Sequence, residues 1–310
     1  MTHNIIPGLH HVTAISGAPQ ENIDFYVKTI GQRLVKKTVN FDEPGTYHFY
    51  FGDNAGSPGS ILTFFPFADA GPGRAGPGMA SAVAYGVPLG GLDRWIDFFA
   101  DEAIECDGPA MRLGERALTL SDPHGLRIEL IEPNNAALSD TSDAGFHSVT
   151  LWLQDTDPTA RLLVEQFGYE EAGHERTEDG ERIRFQSPAH ARGSIVDLLR
   201  SDHASIGRQG AGAIHHVAFR AETDEIQKDW QGKLRDAGYD VTDVINRQYF
   251  NAIYFREPGG VLFEIATDPP GFAVDEPSET MGAELMLPSQ YEGMRERIEQ
   301  ILPPIRVPNR

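Results

Sequence analysis

The chain repeats one strand pattern four times, about 67 residues apart, and this repeat restricts its fold more than any other feature of the sequence. The clearest copies read GLHHVTAIS at 8–16 and AIHHVAFRA at 213–221, and two weaker copies lie between them. The valine of this strand recurs after 71, 66 and 68 residues, and the glycine before the last strand of each unit recurs after 66, 68 and 67. These landmarks are Val12, Val83, Val149 and Val217, and Gly59, Gly125, Gly193 and Gly260. Eight landmarks in register indicate that the chain consists of four copies of one module.

Each copy shows the same succession of patterns. An apolar strand is followed by a stretch of helical periodicity, such as residues 20–31 or 223–238, and then by two or three strands with a Gly/Pro turn before the last one. We therefore predict an α+β fold of four βαβββ modules. Their predicted bounds are 8–67, 80–133, 145–200 and 212–268, and a tail with a short helix follows at 269–310. Because one such module leaves sheet surface uncovered, we expect modules 1 and 4 to pair around a metal site and modules 2 and 3 to pair as a structural half, in two barrel-like domains.

The acidic composition argues against several classes of partner. The 310 residues carry a formal net charge of −20, whereas nucleic acids and anionic membrane surfaces attract basic proteins. No apolar run of about 18 residues is present, so we expect no membrane-spanning helix. The only cysteine, Cys106, excludes an internal disulfide, and the start MTHNIIPGLHH does not have the pattern of a signal peptide. We therefore expect a cytoplasmic protein, and the sequence leaves homo-oligomer formation open.

Modules 1 and 4 place metal-binding side chains at equivalent points of the repeat. The position of the second histidine holds His11, Ala82, Ser148 and His216 in the four modules, and the position four residues after the glycine holds Thr63, Glu129, Asp197 and Glu264. Alternation along a strand turns one histidine of each pair toward the concave face of the sheet. A glutamate in the apolar run VLFEIA needs a partner when it is buried. If modules 1 and 4 pair, His11, His216 and Glu264 meet, and we predict that they bind a metal ion.

The composition of this ligand set favours one kind of chemistry. Two histidines and one carboxylate on one face form the facial triad, which leaves coordination positions open and is typical of Fe(II) enzymes that use O2. By ligand type alone, Mn(II), Zn(II), Co(II) and Ni(II) also fit. A second glutamate would suit a closed metal site for isomerisation, but module 1 has Thr63 at that position. The sequence therefore favours oxygen chemistry over isomerisation.

The other histidines and acidic residues of the strands receive a structural interpretation. A histidine without a repeated partner is more often a core residue than a ligand, and this applies to His147, His174 and His190. Glu129 and Asp197 occupy the position of Glu264 in modules that lack both histidines. We therefore expect structural roles for both, and for Glu129 an ion pair with Arg127 or Arg112.

The segments LHHVTAISG, IHHVAFRA and YFNAIYFREPGGVLFEIATD resemble the vicinal oxygen chelate superfamily of glyoxalases, bleomycin resistance proteins and dioxygenases. Within it they are similar to the hydroquinone-type ring-cleaving dioxygenases, including chlorohydroquinone 1,2-dioxygenases, over nearly the whole chain. The resemblance implies an Fe(II)-dependent, extradiol-type enzyme with His11, His216 and Glu264 as ligands, and Mn(II) as the less favoured metal. It also implies a small aromatic substrate and O2 as partners, with oxygen inserted between a hydroxylated ring carbon and its neighbour.

The same resemblance assigns residues around the substrate. It implies catalytic roles for His215, Tyr254 and Arg247. His215 and Tyr254 are candidates for hydrogen bonding or acid–base steps, and Arg247 for stabilising negative charge or the distal hydroxyl of the substrate. It also implies that His10 and Thr13 contact the substrate.

Further candidates lie on two strands beside this group. His48 and Tyr50 share one face of the strand YHFYF, where they either line the cavity or pack in the core, and we assign His48 and Phe250 to substrate binding. One departure is visible: relatives often carry glycine where this chain has Gln248. A glyoxalase-type metal-dependent isomerase or lyase is the first alternative function, and it would need a fourth protein ligand. A non-catalytic protein that binds small molecules is the second alternative, and it would not need the triad.

Overall fold

The computed structural model describes residues 5–134, 145–178, 180–201 and 205–308, whose strands form two sheets of eight strands each. The strands of the first half of the chain are β1 (Leu9–Ser16), β2 (Arg33–Val39), β3 (Tyr47–Gly52), β4 (Ile61–Pro66), β5 (Met79–Gly86), β6 (Cys106–Arg112), β7 (Glu115–Ser121) and β8 (Arg127–Glu132). Those of the second half are β9 (Phe146–Trp152), β10 (Glu170–Thr177), β11 (Gly180–Gln186), β12 (Ile195–Arg200), β13 (Ile214–Ala221), β14 (Ile245–Asn246), β15 (Phe250–Arg256) and β16 (Leu262–Pro270). The α-helices of the described residues are α1 (Pro19–Asp24), α2 (Leu92–Asp101), α3 (Asp157–Arg161), α4 (Asp224–Asp236) and α5 (Arg295–Ile301).

Each sheet combines strands of two repeats. The first sheet has the order β14-β15-β16-β13-β1-β4-β3-β2, and the second has the order β10-β11-β12-β9-β5-β8-β7-β6. With one short helical segment after the first strand of each unit, this arrangement is an α+β fold of βαβββ units, which confirms the predicted fold class. We propose that the two sheets correspond to two paired-module domains, residues 8–67 with 212–268 and residues 80–133 with 145–200.

The helical segments lie where the periodicity predicted them. Residues 20–31 contain most of α1 and a π-helical turn, Phe25–Thr29, and residues 223–238 contain α4, at whose start the side chain of Thr223 accepts the backbone N–H of Ile226. In the described part of the chain, no helix combines the length and the apolar character needed to cross a bilayer. The helical segments instead contribute apolar side chains to the hydrophobic cluster that both sheets share.

The repeated valines face each other at the centre of each sheet. Val12 lies opposite Val217 where β1 pairs with β13, and Val83 lies opposite Val149 where β5 pairs with β9. All four are fully buried and belong to one hydrophobic cluster that contains residues of both sheets. Because side chains alternate across a strand, the valines pack in this core while the residues flanking them face the concave surface of each sheet.

Both central strand pairs contain two β-bulges at equivalent positions of the repeat. The pairing shifts by one residue at His10 and at His215 in the first sheet, and at Ser81 and at His147 in the second. A bulge redirects the extra side chain and increases the local twist. The backbone beside each valine therefore departs from strict alternation in all four modules.

Carboxylates in the last turn of two modules tie that turn to the helical segment of the preceding module. The hydroxyl of Tyr26 donates a hydrogen bond to Asp122 at 3.1 Å, and the hydroxyl of Thr159 donates one to Glu257 at 2.6 Å. Each carboxylate also accepts two backbone N–H groups of its own turn. Both contacts run between segments of different sheets, so they hold the two sheets together.

A glycine just before β13 brings that strand close to the second sheet. Gly212 has φ +85°, and a methyl group there would overlap the carbonyl oxygen of His124. Gly238 has φ +90° with nothing within 4 Å of an added Cβ, so it provides a matched control. We expect Gly238→Ala to lower the free energy of unfolding by about 1–2 kcal/mol through left-handed backbone strain alone. Gly212→Ala should lower it by roughly 3 kcal/mol or more, because the backbone must also move.

Urea unfolding followed by circular dichroism measures both variants against the unsubstituted protein. Equal unfolding midpoints for Gly212→Ala and Gly238→Ala would contradict the close approach at residue 212.

Candidate metal centre

Three buried side chains converge where β1, β13 and β16 lie side by side. Nε2 of His11 lies 3.4 Å from Nε2 of His216. Oε2 of Glu264 lies 3.4 Å from the first of these nitrogens and 2.8 Å from the second. One ligand atom of each residue lies within 4.8 Å of the others. The structure thus brings together the three residues that the repeat predicts as metal ligands.

Strand register places these side chains. In the antiparallel pair β1–β13, His11 lies opposite Ala218 and Thr13 lies opposite His216. In the parallel pair β13–β16, Glu264 lies beside the same Ala218. A small residue at 218 therefore separates a histidine on one side from the carboxylate on the other and leaves space between them.

The surroundings of Glu264 fit a bound cation. The side chain is fully buried, and neither of its oxygens accepts a hydrogen bond from the residues that the structure describes. Burial raises its pKa, but the His11 and His216 rings outweigh this and hold the pKa of Glu264 below its usual range. A buried carboxylate without compensation is destabilised by several kcal/mol. Two imidazole nitrogens and one carboxylate oxygen around a common point match the ligand set of a divalent metal.

The first histidine of each pair contacts the second through its ring. Nδ1 of His10 lies 2.9 Å from Nδ1 of His11, and the corresponding distance between His215 and His216 is 2.8 Å. Burial, aided by the adjacent His11 ring, lowers the pKa of His10 to about 3. Burial and the His216 ring lower the pKa of His215 to about 4. Both first histidines are therefore neutral near pH 7, and each facing pair of Nδ1 atoms can share one proton.

Strict alternation predicted that one histidine of each pair faces the concave side, and this is wrong for the second pair. His215 and His216 both line the same cavity. Bulges take both His10 and His215 out of the alternating order, and of these two it is His215 that reaches the cavity.

The cavity at this site has a volume of about 430 Å³. Six residues that we assigned to the substrate from sequence line it: Thr13, His48, His215, Arg247, Phe250 and Tyr254. His10 lies next to these lining residues. Its ring contacts the ring of His11, and its centroid lies 5.2 Å from that of Phe250. Three phenylalanines that the sequence patterns did not single out also line it: Phe41, Phe65 and Phe67. Phe65 lies two residues after Thr63 on β4, so alternation along the strand could have predicted that both side chains face the cavity.

A chain of hydrogen bonds runs along one wall of the cavity. The hydroxyl of Tyr50 lies 3.0 Å from Nδ1 of His48, and Nε2 of His48 lies 2.8 Å from the hydroxyl of Thr63. That hydroxyl lies 3.0 Å from the hydroxyl of Thr13. Burial raises the pKa of Tyr50, and burial with the nearby ligand histidines lowers the pKa of His48 well below its usual value. Both rings are therefore neutral, and Thr63 is occupied by hydrogen bonds within this chain.

Arg247 and Tyr254 lie together on the opposite wall. Nε of Arg247 donates to the hydroxyl of Tyr254 at 3.3 Å, and Nη1 lies 3.4 Å from the exposed Asp42. Burial lowers the pKa of Arg247, but Tyr254 and Asp42 more than offset this, so the guanidinium stays charged. Burial and the Glu264 carboxylate raise the pKa of Tyr254, so its phenol keeps its proton.

A buried lysine behind the cavity was not predicted from the sequence. Lys36 is fully buried, and its ammonium donates to Asp275 at 2.6 Å and to Glu276 at 2.5 Å. The same ammonium lies 5.0 Å from the ring centroid of Tyr249, which stacks on Phe272 of the tail. The tail is thus bound to β2 by a buried ion cluster.

The equivalent carboxylates of the second sheet have protein cations as partners. Glu129 accepts hydrogen bonds from Arg112 and from Arg127, as expected. Asp197 accepts two from Arg184, at 2.8 and 3.0 Å. In modules 2 and 3, guanidinium groups therefore balance the carboxylates at this repeat position. Glu264 of module 4 has no lysine or arginine ion pair among the residues that the structure describes.

Of the three histidines for which we expected core positions, one is buried and two are exposed. His147 is buried, and its Nδ1 lies 3.1 Å from the hydroxyl of Ser148, in agreement with a core role. The prediction of core positions is wrong for His174 and His190, which are exposed. His174 lies on β10, a strand at the edge of its sheet, and pairs with Glu181 at 3.0 Å. His190 lies in a turn with φ +50°, outside the strands.

Comparisons with known proteins agree on one family. The sequence model of the Glyoxalase/Bleomycin resistance protein/Dioxygenase superfamily matches residues 8–130 and 145–265. The chain is 46% identical to the "Putative ring-cleaving dioxygenase MhqO" of Bacillus subtilis (strain 168), with 97% of each chain covered. It is 33% identical to the chlorohydroquinone/hydroquinone 1,2-dioxygenase of Sphingobium indicum, covering 94% of this chain and 95% of that one.

Solved structures extend the likeness to the fold. The crystal structure of a "putative dioxygenase" from Bacillus subtilis subsp. subtilis str. 168 superposes with a TM-score of 0.92 at 45% identity, covering 99% of this chain and 100% of that one. Glyoxalase I from Zea mays superposes with a TM-score of 0.64 at 12% identity, covering 84% of this chain and 92% of that one. The second comparison concerns the fold alone.

Removal of any one ligand should abolish metal binding. We expect His11→Ala, His216→Ala and Glu264→Ala each to weaken retention of a divalent metal by more than about a hundredfold, because loss of a direct ligand costs more than loss of a supporting contact. Inductively coupled plasma mass spectrometry after anaerobic Fe(II) loading and desalting measures the metal content. His147→Ala, in the equivalent strand of the second sheet, is the control and should keep the metal. A full complement of metal in His216→Ala would contradict the site.

Proposed function

We propose that this chain, a member of the Glyoxalase/Bleomycin resistance protein/Dioxygenase superfamily, is an Fe(II)-dependent, extradiol-type dioxygenase that opens hydroquinones. Its relatives make it an enzyme of the ring-cleaving dioxygenase kind. Mn(II) is the second choice of metal. The name of the Sphingobium indicum relative supports the substrate class. We place the enzyme in the cytoplasm, because a chain with a single cysteine forms no internal disulfide, as is typical of proteins in a reducing compartment.

The observation that carries the proposal is the buried carboxylate of Glu264 beside two ring nitrogens at the wall of a cavity. His11, His216 and Glu264 would hold the metal. When bound, the metal supplies open coordination positions at which a phenol is deprotonated more easily and O2 can accept electrons. In the described part of the chain, Thr63 stands where a fourth ligand would be needed for a closed site, and its hydroxyl is engaged with His48 and Thr13.

The paired histidines then have separate tasks. A ligand that offers the lone pair of Nε2 must carry its proton on Nδ1, so His11 and His216 donate through Nδ1 to His10 and His215. The first histidines accept because they are neutral. A hydrogen bond between His10 and the backbone of Thr267 holds that acceptor in place. In this proposal the first histidines orient the ligands, and His215 in addition faces the substrate.

The dimensions of the cavity suit one aromatic ring with a substituent. A cavity of about 150 Å³ can hold benzene, whereas this cavity measures about 430 Å³. Phe41, Phe65 and Phe250 supply apolar walls for a flat ring. Aromatic side chains bind such rings by offset or edge contacts. The remaining volume leaves room for O2 beside the ring.

Arg247 and Tyr254 supply the polar groups for charge and proton management. The phenol of Tyr254 accepts from Arg247 and can itself donate to Glu264 or, once that carboxylate holds the metal, to a substrate oxygen. The fixed positive charge of Arg247 stabilises negative charge that develops as the phenol loses its proton and the ring opens. Its neighbour Asp42 is exposed, so solvent weakens the opposing charge.

The opposite wall presents a hydrogen-bond donor of defined direction. Tyr50 is almost fully buried, and His48 is its hydrogen-bond partner among the described residues, so its O–H donates to Nδ1 of His48. The proton of neutral His48 then lies on Nε2 and is donated to Thr63, which donates to Thr13. The hydroxyl hydrogen of Thr13 is left to point into the cavity. Thr13 therefore offers a donor to an oxygen of the substrate or of O2.

Oxygen consumption tests the function directly. The protein is loaded anaerobically with Fe(II), and hydroquinone or methylhydroquinone is added in an oxygen electrode, with the metal-free protein and His216→Ala as controls and buffer as the blank for autoxidation. We expect uptake of about one O2 per substrate, the stoichiometry of a dioxygenase, with loss of the aromatic absorbance. Uptake no faster than the buffer blank with every hydroquinone tested would contradict the proposal.

Two matched pairs of variants test the walls of the cavity. Arg247→Ala and Tyr50→Phe should retain the metal but lower kcat by about 10- to 100-fold, the usual effect of removing one charged or proton-directing group. Their controls are Arg256→Ala and Tyr47→Phe, since the side chains of Arg256 and Tyr47 bond to carbonyl groups outside the cavity. Turnover of Arg247→Ala equal to that of Arg256→Ala would remove Arg247 from the reaction.

A further inference from the structure

The second sheet encloses a cavity that corresponds to the catalytic cavity of the first. Its volume is about 260 Å³. Its lining contains Ala82 and Glu129, which occupy the repeat positions of His11 and Glu264. The cavity therefore lies at the repeat position of the metal site, but neither ligand histidine is present there.

Arginines give this cavity a positive lining in an acidic protein. Arg74, Arg127 and Arg182 line it, whereas the whole chain carries a formal net charge of −20. Glu129 is the acidic residue of the lining, and its carboxylate already accepts hydrogen bonds from Arg112 and Arg127. Among the described residues, the three arginines of the lining thus outnumber its one carboxylate.

Arg182 is the buried member of the group, and it shares its closest carboxylate with another arginine. Its side chain is nine-tenths buried, and its nearest carboxylates are Asp197 at 3.3 Å and Glu175 at 3.8 Å. Asp197 is shared with Arg184, which lies closer to it, at 2.8 Å. Burial and the neighbouring Arg112 lower the pKa of Arg182 more than the carboxylates of Asp197, Glu129 and Glu175 raise it, so the guanidinium would gain from a further counter-charge. An anion in the adjacent cavity would supply that charge.

Beside these charged groups and a few hydroxyl side chains, the lining has an apolar part and an unused hydrogen-bond donor. Leu126, Leu199 and Ile214 contribute aliphatic surface, and Trp152 contributes an indole. The indole N–H of Trp152 is buried and has no hydrogen-bond partner among the described residues. Because a cavity of about 150 Å³ can hold benzene, this one holds a ligand somewhat larger than benzene.

We propose that this cavity binds a small carboxylate with a compact apolar body, about the size of benzoate. Its carboxylate lies against the guanidinium groups of Arg182 and Arg127, which suit bidentate pairing, and its body lies against Trp152 and Leu126. The site is separate from the metal centre, and its assignment does not depend on the proposed reaction.

Tryptophan fluorescence reports on this cavity because Trp152 lines it. The full-length, metal-loaded protein is titrated with sodium benzoate at constant ionic strength, and a parallel titration uses inorganic phosphate. We expect a saturable change with benzoate that Trp152→Phe removes. Arg127→Met should weaken the apparent affinity about tenfold, the usual effect of losing one charged hydrogen bond. Arg297→Met, which removes another exposed arginine, should leave the affinity unchanged.

Three outcomes would overturn the assignment. The first is the absence of saturation up to about 20 mM benzoate, which corresponds to an affinity too weak for a built site. The second is an equal response to phosphate, which has no apolar body. The third is a benzoate response that survives in Trp152→Phe but is lost in Arg247→Met, because this would place the ligand in the catalytic cavity.

Discussion

The arrangement of the first sheet depends on one buried carboxylate. Glu264 lies in an apolar strand, with no hydrogen bond from the described residues, 2.8 and 3.4 Å from two imidazole nitrogens. Burial of such a group is unfavourable unless a cation balances it. The register of β1, β13 and β16, the small Ala218 between the ligands and the two bulges all serve to bring His11 and His216 to that carboxylate.

The second sheet shows what the same backbone does without the histidines. It keeps the bulges, and His147 even keeps a contact from Nδ1 to the following residue, Ser148. Its carboxylates Glu129 and Asp197, however, are neutralised by arginines of the neighbouring strands. Within the described part of the chain, therefore, equivalent carboxylates pair with arginines in one sheet, whereas Glu264 in the other has two histidines and no lysine or arginine ion pair. This internal comparison is a physical argument for a metal at Glu264 that does not depend on any relative.

The repeat made the fold class and the triad predictable, because both follow from spacing along the chain. The period of about 67 residues placed Val12 opposite Val217 and brought Glu264 to the two histidines. Strand alternation alone could not predict the orientation of His215, because a bulge depends on pairing between strands about 200 residues apart. The family resemblance, not the strand pattern, placed this residue at the substrate. The buried position of Lys36 was not predictable either, since its partners lie in the tail. Exposure of His174 follows from an edge position that the strand pattern alone does not encode.

The turn that carries Arg247 contains a glutamine in a backbone conformation typical of glycine. Gln248 has φ +66°, a conformation that glycine adopts freely and that costs other residues about 1–2 kcal/mol. Its side chain donates to Asp275 at 2.8 Å, and its backbone N–H donates to Asn246 at 2.7 Å. A hydrogen bond to a charged group contributes about 1.5–3 kcal/mol, enough to offset the strain. The glutamine therefore keeps a backbone shape suited to glycine and also binds the Arg247 turn to the same tail carboxylate that receives Lys36.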